Sequence, residues 1–392
     1  MVQPAGAAGP AQDGPKSASS RVIRFASQLS LHKERPSMTS VKYIGLDVHQ
    51  ATISAAVLDA NGKLVMESVV ETRGLTIVEF LRGLRGELVV TFEEGTSAAW
   101  LHDLLKPHVS KLIVCDPRKN ALLKVGSKSD RIDACKLAEL LRGGHLSSVY
   151  HGGAGVRTLK ELARNYLTLT QDATRVMNRI KALYRSQAIP CSGRSVYGAR
   201  DRSAWLEKLT ESGLRCRAES LHQQLDLLEP LRQQARRQFL AESRKYPARR
   251  CLQQIPCIGA LRAALLIAFI QTPHRFRTKR LLWSYSGLGL ETHSSADYGF
   301  KDGRLQRSRK NISVRGLNRN HNHDLKNLFK STAISASTRK GPLQEYYAGL
   351  LAKGITPAMA RLTLARKIAA ISLRLWKKGE HFDPTKLKTQ AA

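Results

Sequence analysis

The chain has 392 residues, 42% of them hydrophobic, and carries 64 Lys and Arg against 31 Asp and Glu, a formal net charge of +33. That apolar content suits two or three folded domains and excludes a chain disordered throughout, while so basic a body repels itself unless a polyanion meets it, a poor balance for a small-metabolite enzyme. Nucleic acid is the implied partner, through phosphate neutralisation and counterion release; an anionic membrane surface would meet the same charge, but the most apolar run, "ALLIAFI" at 264–270, falls far short of the roughly 20 residues a span needs.

Residues 1–39 are rich in Ala, Gly, Ser and Pro without periodicity and read as a disordered basic tail, with Met38 in "PSMTSVKYIGLDV" the natural start. There is no secretory apolar region near Met1, and the six cysteines show no C-x-x-C spacing. They read as the reduced thiols of a cytoplasmic protein rather than a disulfide frame or a zinc site.

From residue 40 the texture changes. "VKYIGLDVH", "TISAAVLDA" and "KLVMESVVE" are strand candidates, the last two joined by the Asn61-Gly62 turn signal. A helical "GLTIVEFLRGLRG" follows, then the strand "ELVVTFE", a helix from about Thr96, the strand "KLIVCD" and the helical "SKSDRIDACKLAELL". Hairpin-linked strands followed by alternating helices and strands predict a mixed α/β sheet over residues 40–150. Residues 151–247 are helical. Leu159, Leu162, Tyr166, Leu169, Ala173, Val176, Ile180 and Leu183 alternate steps of three and four, a coiled-coil seam, and Leu221, Leu225 and Leu228 mark a second amphipathic helix. Heptads do not name their partner, so an intramolecular hairpin and an oligomer contact both fit. Residues 248–385 form a third, basic, mainly helical region closing on "MARLTLARKIAAISLRLWKKG", and 386–392 a short tail.

Four acids are candidates for chemistry. Asp47 lies centrally in the first strand, where a buried unpaired carboxylate costs several kcal/mol or takes up a proton. A cation relieves it, and a divalent metal is an economical one. Glu93 ends the strand "ELVVTFE", and Asp130 and Asp133 share one face of a helix at i, i+3. Taken singly, Glu93 or its neighbour Glu94 could cap the next helix, and Asp130 and Asp133 could be a solvated first turn. Together they fit two Mg²⁺ ions, which take oxygen ligands and act on both the attacking and leaving oxygens of a phosphodiester. Strand-Asp, strand-Glu, helix D-x-x-D is the RNase-H-like or RuvC-like order. An actin-like sugar kinase also opens on a hairpin with a strand Asp, but its phosphate loop needs Gly where His49 stands.

In the basic region, "IPCIG" resembles the turn of a helix-hairpin-helix, where backbone N–H groups around Gly259 would face a phosphate. Arg307, Arg309, Lys310, Arg315 and Arg319 form the densest basic stretch, a natural phosphate-contacting surface. His321 and His323 at i, i+2 read as polar or phosphate-facing rather than as a helical metal pair.

"IGLDVHQ", "TFEEGTSAAWL", "KSDRIDACKLAELL", "IPCIG" and "GLGLETHSS", in this order and spacing, resemble the transposases of insertion-sequence family one-ten, especially the eleven-eleven subgroup, from about Tyr43 to about Phe382. The resemblance implies a RuvC-like DEDD domain, a coiled-coil helical middle and a mainly α C-terminal transposase domain. It places the family's acids on Asp47, Glu93, Asp130 and Asp133, with Glu94 standing where the family has a small residue. It places a nucleophilic serine eight residues beyond Gly287, at Ser295, with Ser294 as the alternative because Ala296 stands where Gly is usual. Lys326 occupies a position the family gives to Arg. The implied activity is a Mg²⁺-dependent recombinase that passes through a covalent serine–DNA bond, guided by a noncoding bridge RNA that pairs with donor and target DNA. Assembly as a homo-oligomer, dimer or tetramer, would bring acids and serine together across protomers. Two other readings stand beside it: a RuvC-like junction nuclease using water, and an inactive nucleic-acid-binding derivative.

Overall fold

A computed structural model describes residues 40–120, 129–293, 298–301, 303–307 and 313–387. The chain divides into two units, Met1–Val149 and Tyr150–Ala392. The segment expected to be a tail, 1–39, lies outside the described residues.

In the first unit, β1 (Val41–Val48), β2 (Thr52–Leu58) and β3 (Leu64–Glu71) form an antiparallel meander, followed by α1 (Gly74–Arg82), β4 (Glu87–Glu93), α2 (Ala98–Leu105), β5 (Lys111–Cys115) and α3 (Asp130–Arg142). The sheet runs β3-β2-β1-β4-β5, with β4 and β5 parallel to β1. The β2–β3 turn is built as its sequence demands. Gly62 takes φ +89, and the Asp59 carboxylate accepts hydrogen bonds from the N–H groups of Asn61 and Lys63, both at 2.9 Å.

The strand period of two divides β1 between two faces. Ile44 and Leu46 pack into a core with Ile77 and Leu81 of α1 and Leu101 and Leu105 of α2. Gly45 faces the other way, and α3 packs on it. A Cβ at Gly45 would lie 2.1 Å from the Ala134 carbonyl oxygen and 2.6 Å from the Ala138 nitrogen, so only glycine lets the helix backbone come this close. A mixed five-stranded sheet with a D-x-x-D helix laid on its central strand is consistent with the RuvC-like plan.

The second unit opens with α4 (Ala154–Ser186), α5 (Arg202–Leu206) and α6 (Ser212–Ser243). The heptad seam of α4 is consumed within the chain. Leu159, Ala163 and Tyr166 share a core with Ala235 and Phe239 near the end of α6, while Ala173, Val176, Ile180 and Leu183 cluster with Ala218, Leu221 and Leu225 near its start. The two long helices are therefore an antiparallel hairpin, with the Tyr166 and Phe239 rings stacked at 6.3 Å between centroids.

The first of those cores continues into the rest of the unit: α7 (Ala248–Leu252), α8 (Ala260–Ile270), α9 (Lys279–Tyr285), α10 (His323–Thr338), α11 (Pro342–Ala352) and α12 (Pro357–Lys378). From Ala263 to Ile270 every residue of α8 is buried, so "ALLIAFI" is a central core helix. Among the described residues no helix is long and apolar enough to cross a membrane. Two ribbons interrupt the helices, β6 (Leu290–His293) with β9 (Ser313–Leu317) and β7 (Tyr298–Lys301) with β8 (Arg304–Arg307). The sequence reading, mainly α here, did not include them.

Candidate functional site

The site follows from two packing facts in the first unit. Gly45 and Asp47 alternate onto the same face of β1, and the close approach of α3 at Gly45 lays the first turn of that helix beside Asp47. Ser129 starts the helix, its side chain accepting the Ile132 N–H at 3.3 Å, so Asp130 and Asp133 occupy the first turn. In the parallel pairing Leu46 lies opposite Phe92; one step further along that register puts Glu93 beside Asp47. Glu94 follows the strand and is exposed.

The structure brings Asp47, His49 and Asp130 together, with ligand atoms all within 4.8 Å of one another. His49 Nε2 lies 3.1 Å from Asp47 Oδ2 and 3.5 Å from Asp130 Oδ1. The imidazole is positioned by the β1–β2 turn, where the His49 N–H donates to the Thr52 carbonyl and the Thr72 hydroxyl donates to the His49 carbonyl at 3.0 Å. The sequence does not mark His49 as a ligand; its signal is its place two residues after Asp47, just past the end of β1.

Burial pushes the Asp47 carboxyl up from its ordinary value, the His49 hydrogen bond and charge pull it down, and Asp130 and Asp133 push it up again. The inner oxygen of Asp133, Oδ1, is buried and has no hydrogen-bond partner among the described residues. Three carboxylates that repel one another, one with a buried bare oxygen, form a donor set that fits a divalent cation. Glu93 is held differently, its Oε1 accepting from Nδ2 of buried Asn120 at 2.9 Å. Asn120 also donates to Cys115 Sγ at 3.3 Å, which ties the ends of β4 and β5 together. Nothing in the sequence pattern marked Asn120.

In the second unit the proposed nucleophile Ser295, its alternative Ser294, and Arg309 and Lys310 lie outside the described residues. Arg307 ends β8, Arg315 lies in β9, Arg319 is exposed and Lys326 is half-buried on α10. Gly259 precedes α8 after the "IPCIG" turn, with open space where a Cβ would go. His321 packs against Gly287, which takes φ +64; a Cβ there would lie 2.5 Å from the imidazole. His321 Nδ1 lies 2.6 Å from the Asn318 carbonyl, and the Asn318 side chain donates to the Ser284 carbonyl at 3.0 Å. The segment 318–322 therefore clamps the end of α9 and the start of β6. His321 serves that clamp; the sequence reading for it was polar or phosphate-facing.

Two family models match the chain. One, described as DEDD_Tnp_IS110, a transposase, matches residues 44–186; the other, described as a transposase of the IS116/IS110/IS902 family, matches residues 249–348. No curated protein matches the chain. One match spans the carboxylate site and the long helix α4, the other the "IPCIG" turn, the ribbons and α10, so the chain belongs to the IS110 family of transposases, enzymes that cut and recombine DNA.

Proposed function

We propose that this transposase exchanges strands between donor and target DNA through a covalent serine–DNA intermediate, with Mg²⁺ held by Asp47, Glu93, Asp130 and Asp133 and with a noncoding bridge RNA as guide. The observation that carries the metal reading is the Asp47–His49–Asp130 cluster, joined by the buried Asp133 Oδ1, which has no hydrogen-bond partner among the described residues. When bound, the metal supplies a lowered pKa for the attacking oxygen and charge neutralisation at the crowded phosphate. Asp47 on β1, Glu93 at the end of the neighbouring β4, and Asp130 and Asp133 in the first turn of α3 are all carried by regular elements, so the protein would fix their spacing before substrate arrives. The His49 imidazole bridges the two acids, its Nε2 3.1 Å from Asp47 and 3.5 Å from Asp130.

Ser295 is the proposed nucleophile. Its oxygen bonds to phosphorus as a DNA oxygen leaves, and the reverse attack by a different DNA end reseals the strand. The linkage is a phosphodiester throughout, so no nucleotide cofactor is consumed. Arg307, Arg309, Lys310, Arg315, Arg319, Lys326 and the Gly259 turn are the proposed phosphate contacts. A homo-oligomer is part of the proposal, although the α4 seam expected to build it is occupied by α6; assembly would use other surfaces.

Two tests separate this reading from its rivals. RNA purified with the protein from its native host and sequenced should be one discrete species mapping beside its own gene; heterogeneous RNA removes the guide. Ser295→Ala should abolish the covalent protein–DNA adduct and strand exchange, whereas continued cutting by that variant would establish a water-using nuclease.

A further inference from the structure

Outside the carboxylate site and the basic ribbons, the second unit carries a cavity of about 430 Å³ along the C-terminal half of α12, closed by the start of α9 and the segment after α12. Its lining is strongly basic. Two carboxylates enter it and both are engaged: Glu380 accepts from Arg374 at 3.1 Å and lies 3.5 Å from Lys378, and Asp383 lies 3.3 Å from Lys386. Lys377 is also committed, donating to the Phe276 carbonyl.

Three cations remain. Arg277, Lys279 and Lys367 line the same cavity, and no carboxylate among the described residues lies within ion-pairing distance of any of them. Lys367 is half-buried, its ammonium 5.4 Å from the centre of the Tyr346 ring, and Lys279 lies 5.6 Å from the Trp283 ring. Burial and the nearby Lys279 charge hold the Lys367 ammonium below its ordinary pKa. The Trp283 ring is fixed in turn, its Nε1 donating to the Arg366 carbonyl at 2.9 Å. Like charges gathered in one concave space lack one thing, an anion.

We propose that this cavity is a phosphate site, taking a phosphodiester of a nucleic-acid backbone between Arg277, Lys279 and Lys367. Guanidinium and ammonium donors around one concavity suit the non-bridging oxygens of a phosphodiester, and contacts of this kind fix register without reading bases. The site lies on α12, the start of α9 and Arg277 just before it, apart in sequence from the ribbon arginines, and so adds a second place where a strand is gripped. The inference rests on the reading that the chain handles nucleic acid.

Duplex DNA and single-stranded RNA both supply the ligand, and one experiment separates them. Binding of each polymer to the full-length protein is followed by fluorescence anisotropy between about 50 and 200 mM NaCl, for wild type, Lys367→Gln and the double variant Lys279→Gln/Lys367→Gln. Each lost phosphate contact should flatten the log–log salt slope by about 0.9 on duplex DNA or about 0.7 on a single strand, and the polymer that shows the change is the one held here. Lys367→Arg should keep the wild-type slope. Arg277→Gln, at an exposed position, should repeat the loss without any change in the thermal melt. An unaltered slope on both polymers in well-folded variants overturns the site while leaving the transposase reading intact; absence of wild-type binding to either polymer would overturn both.

Discussion

Gly45 and Asp133 sit on opposite sides of one contact, and each predicts a different response to substitution. Because a Cβ at Gly45 would meet backbone of α3 rather than a flexible side chain, no rotamer change relieves Gly45→Ala. The variant should lose about 1–3 kcal/mol from overpacking and displace the D-x-x-D turn from Asp47, so a chemical-denaturation midpoint and strand-exchange activity should fall together. Asp133 predicts the reverse. Its bare buried oxygen adds repulsion in the metal-free protein, so Asp133→Asn should raise the melting temperature in chelator. Divalent metal at about 100 times Kd should stabilise wild type by about 2.7 kcal/mol, and the variant by much less. A wild type whose melt ignores Mg²⁺ and Mn²⁺ alike would remove the metal site. The sequence marked the acids because charge in an apolar strand is conspicuous. It left His49 and Asn120 unmarked because an imidazole beside a turn, or an amide in a loop, becomes informative only once its neighbours are known.

At the scale of elements, the α4 heptads announced a helix that packs along its whole length, and only three-dimensional structure could say against what. The partner is α6, whose own pattern is broken by Pro230 and by a fully buried His222. Neither nitrogen of His222 has a hydrogen-bond partner among the described residues. Burial and the Arg202 charge hold its pKa below 6.5, while Asp226 opposes them. The unfolded chain thus takes up a proton near pH 6.5 that the folded hairpin refuses, and stability is lost as pH falls below that value. The Arg202–Asp226 pair, at 2.6 and 2.7 Å, does not mimic this, because Asp226 is held below its ordinary value and its contribution is lost only in stronger acid. Urea melts between about pH 7.5 and 5 should therefore show a falling midpoint that His222→Leu flattens. An equal slope in the variant would mean that some other group titrates. The ribbons, including the β7–β8 pair closed by Lys301 opposite Arg304, were not read from the sequence. The surrounding basic residues hid the strand alternation.

For the molecule as a whole, the order of strands and helices in the first unit was readable because hairpin turns and hydrophobic periods are local. The joining of the helical hairpin and the C-terminal helices into one unit was not, because it depends on contacts such as Tyr166 with Phe239 and α8 that are distant in sequence. Net charge was readable at once, and it makes a prediction with two signs. With 64 basic against 31 acidic side chains, the free protein repels itself, so adding NaCl from low ionic strength should raise its melting temperature by screening. The complex with DNA should respond oppositely, since salt competes for the counterion release that drives binding; a protein making 6–10 phosphate contacts loses about 10³–10⁵ in affinity between 50 and 200 mM. The melting temperatures of free and DNA-bound protein should accordingly start far apart at low salt and converge as salt rises, the lower curve climbing and the upper one descending. Parallel curves would mean that the positive charge is neutralised within the fold, and the polyanion argument that leads from composition to DNA would lose its basis.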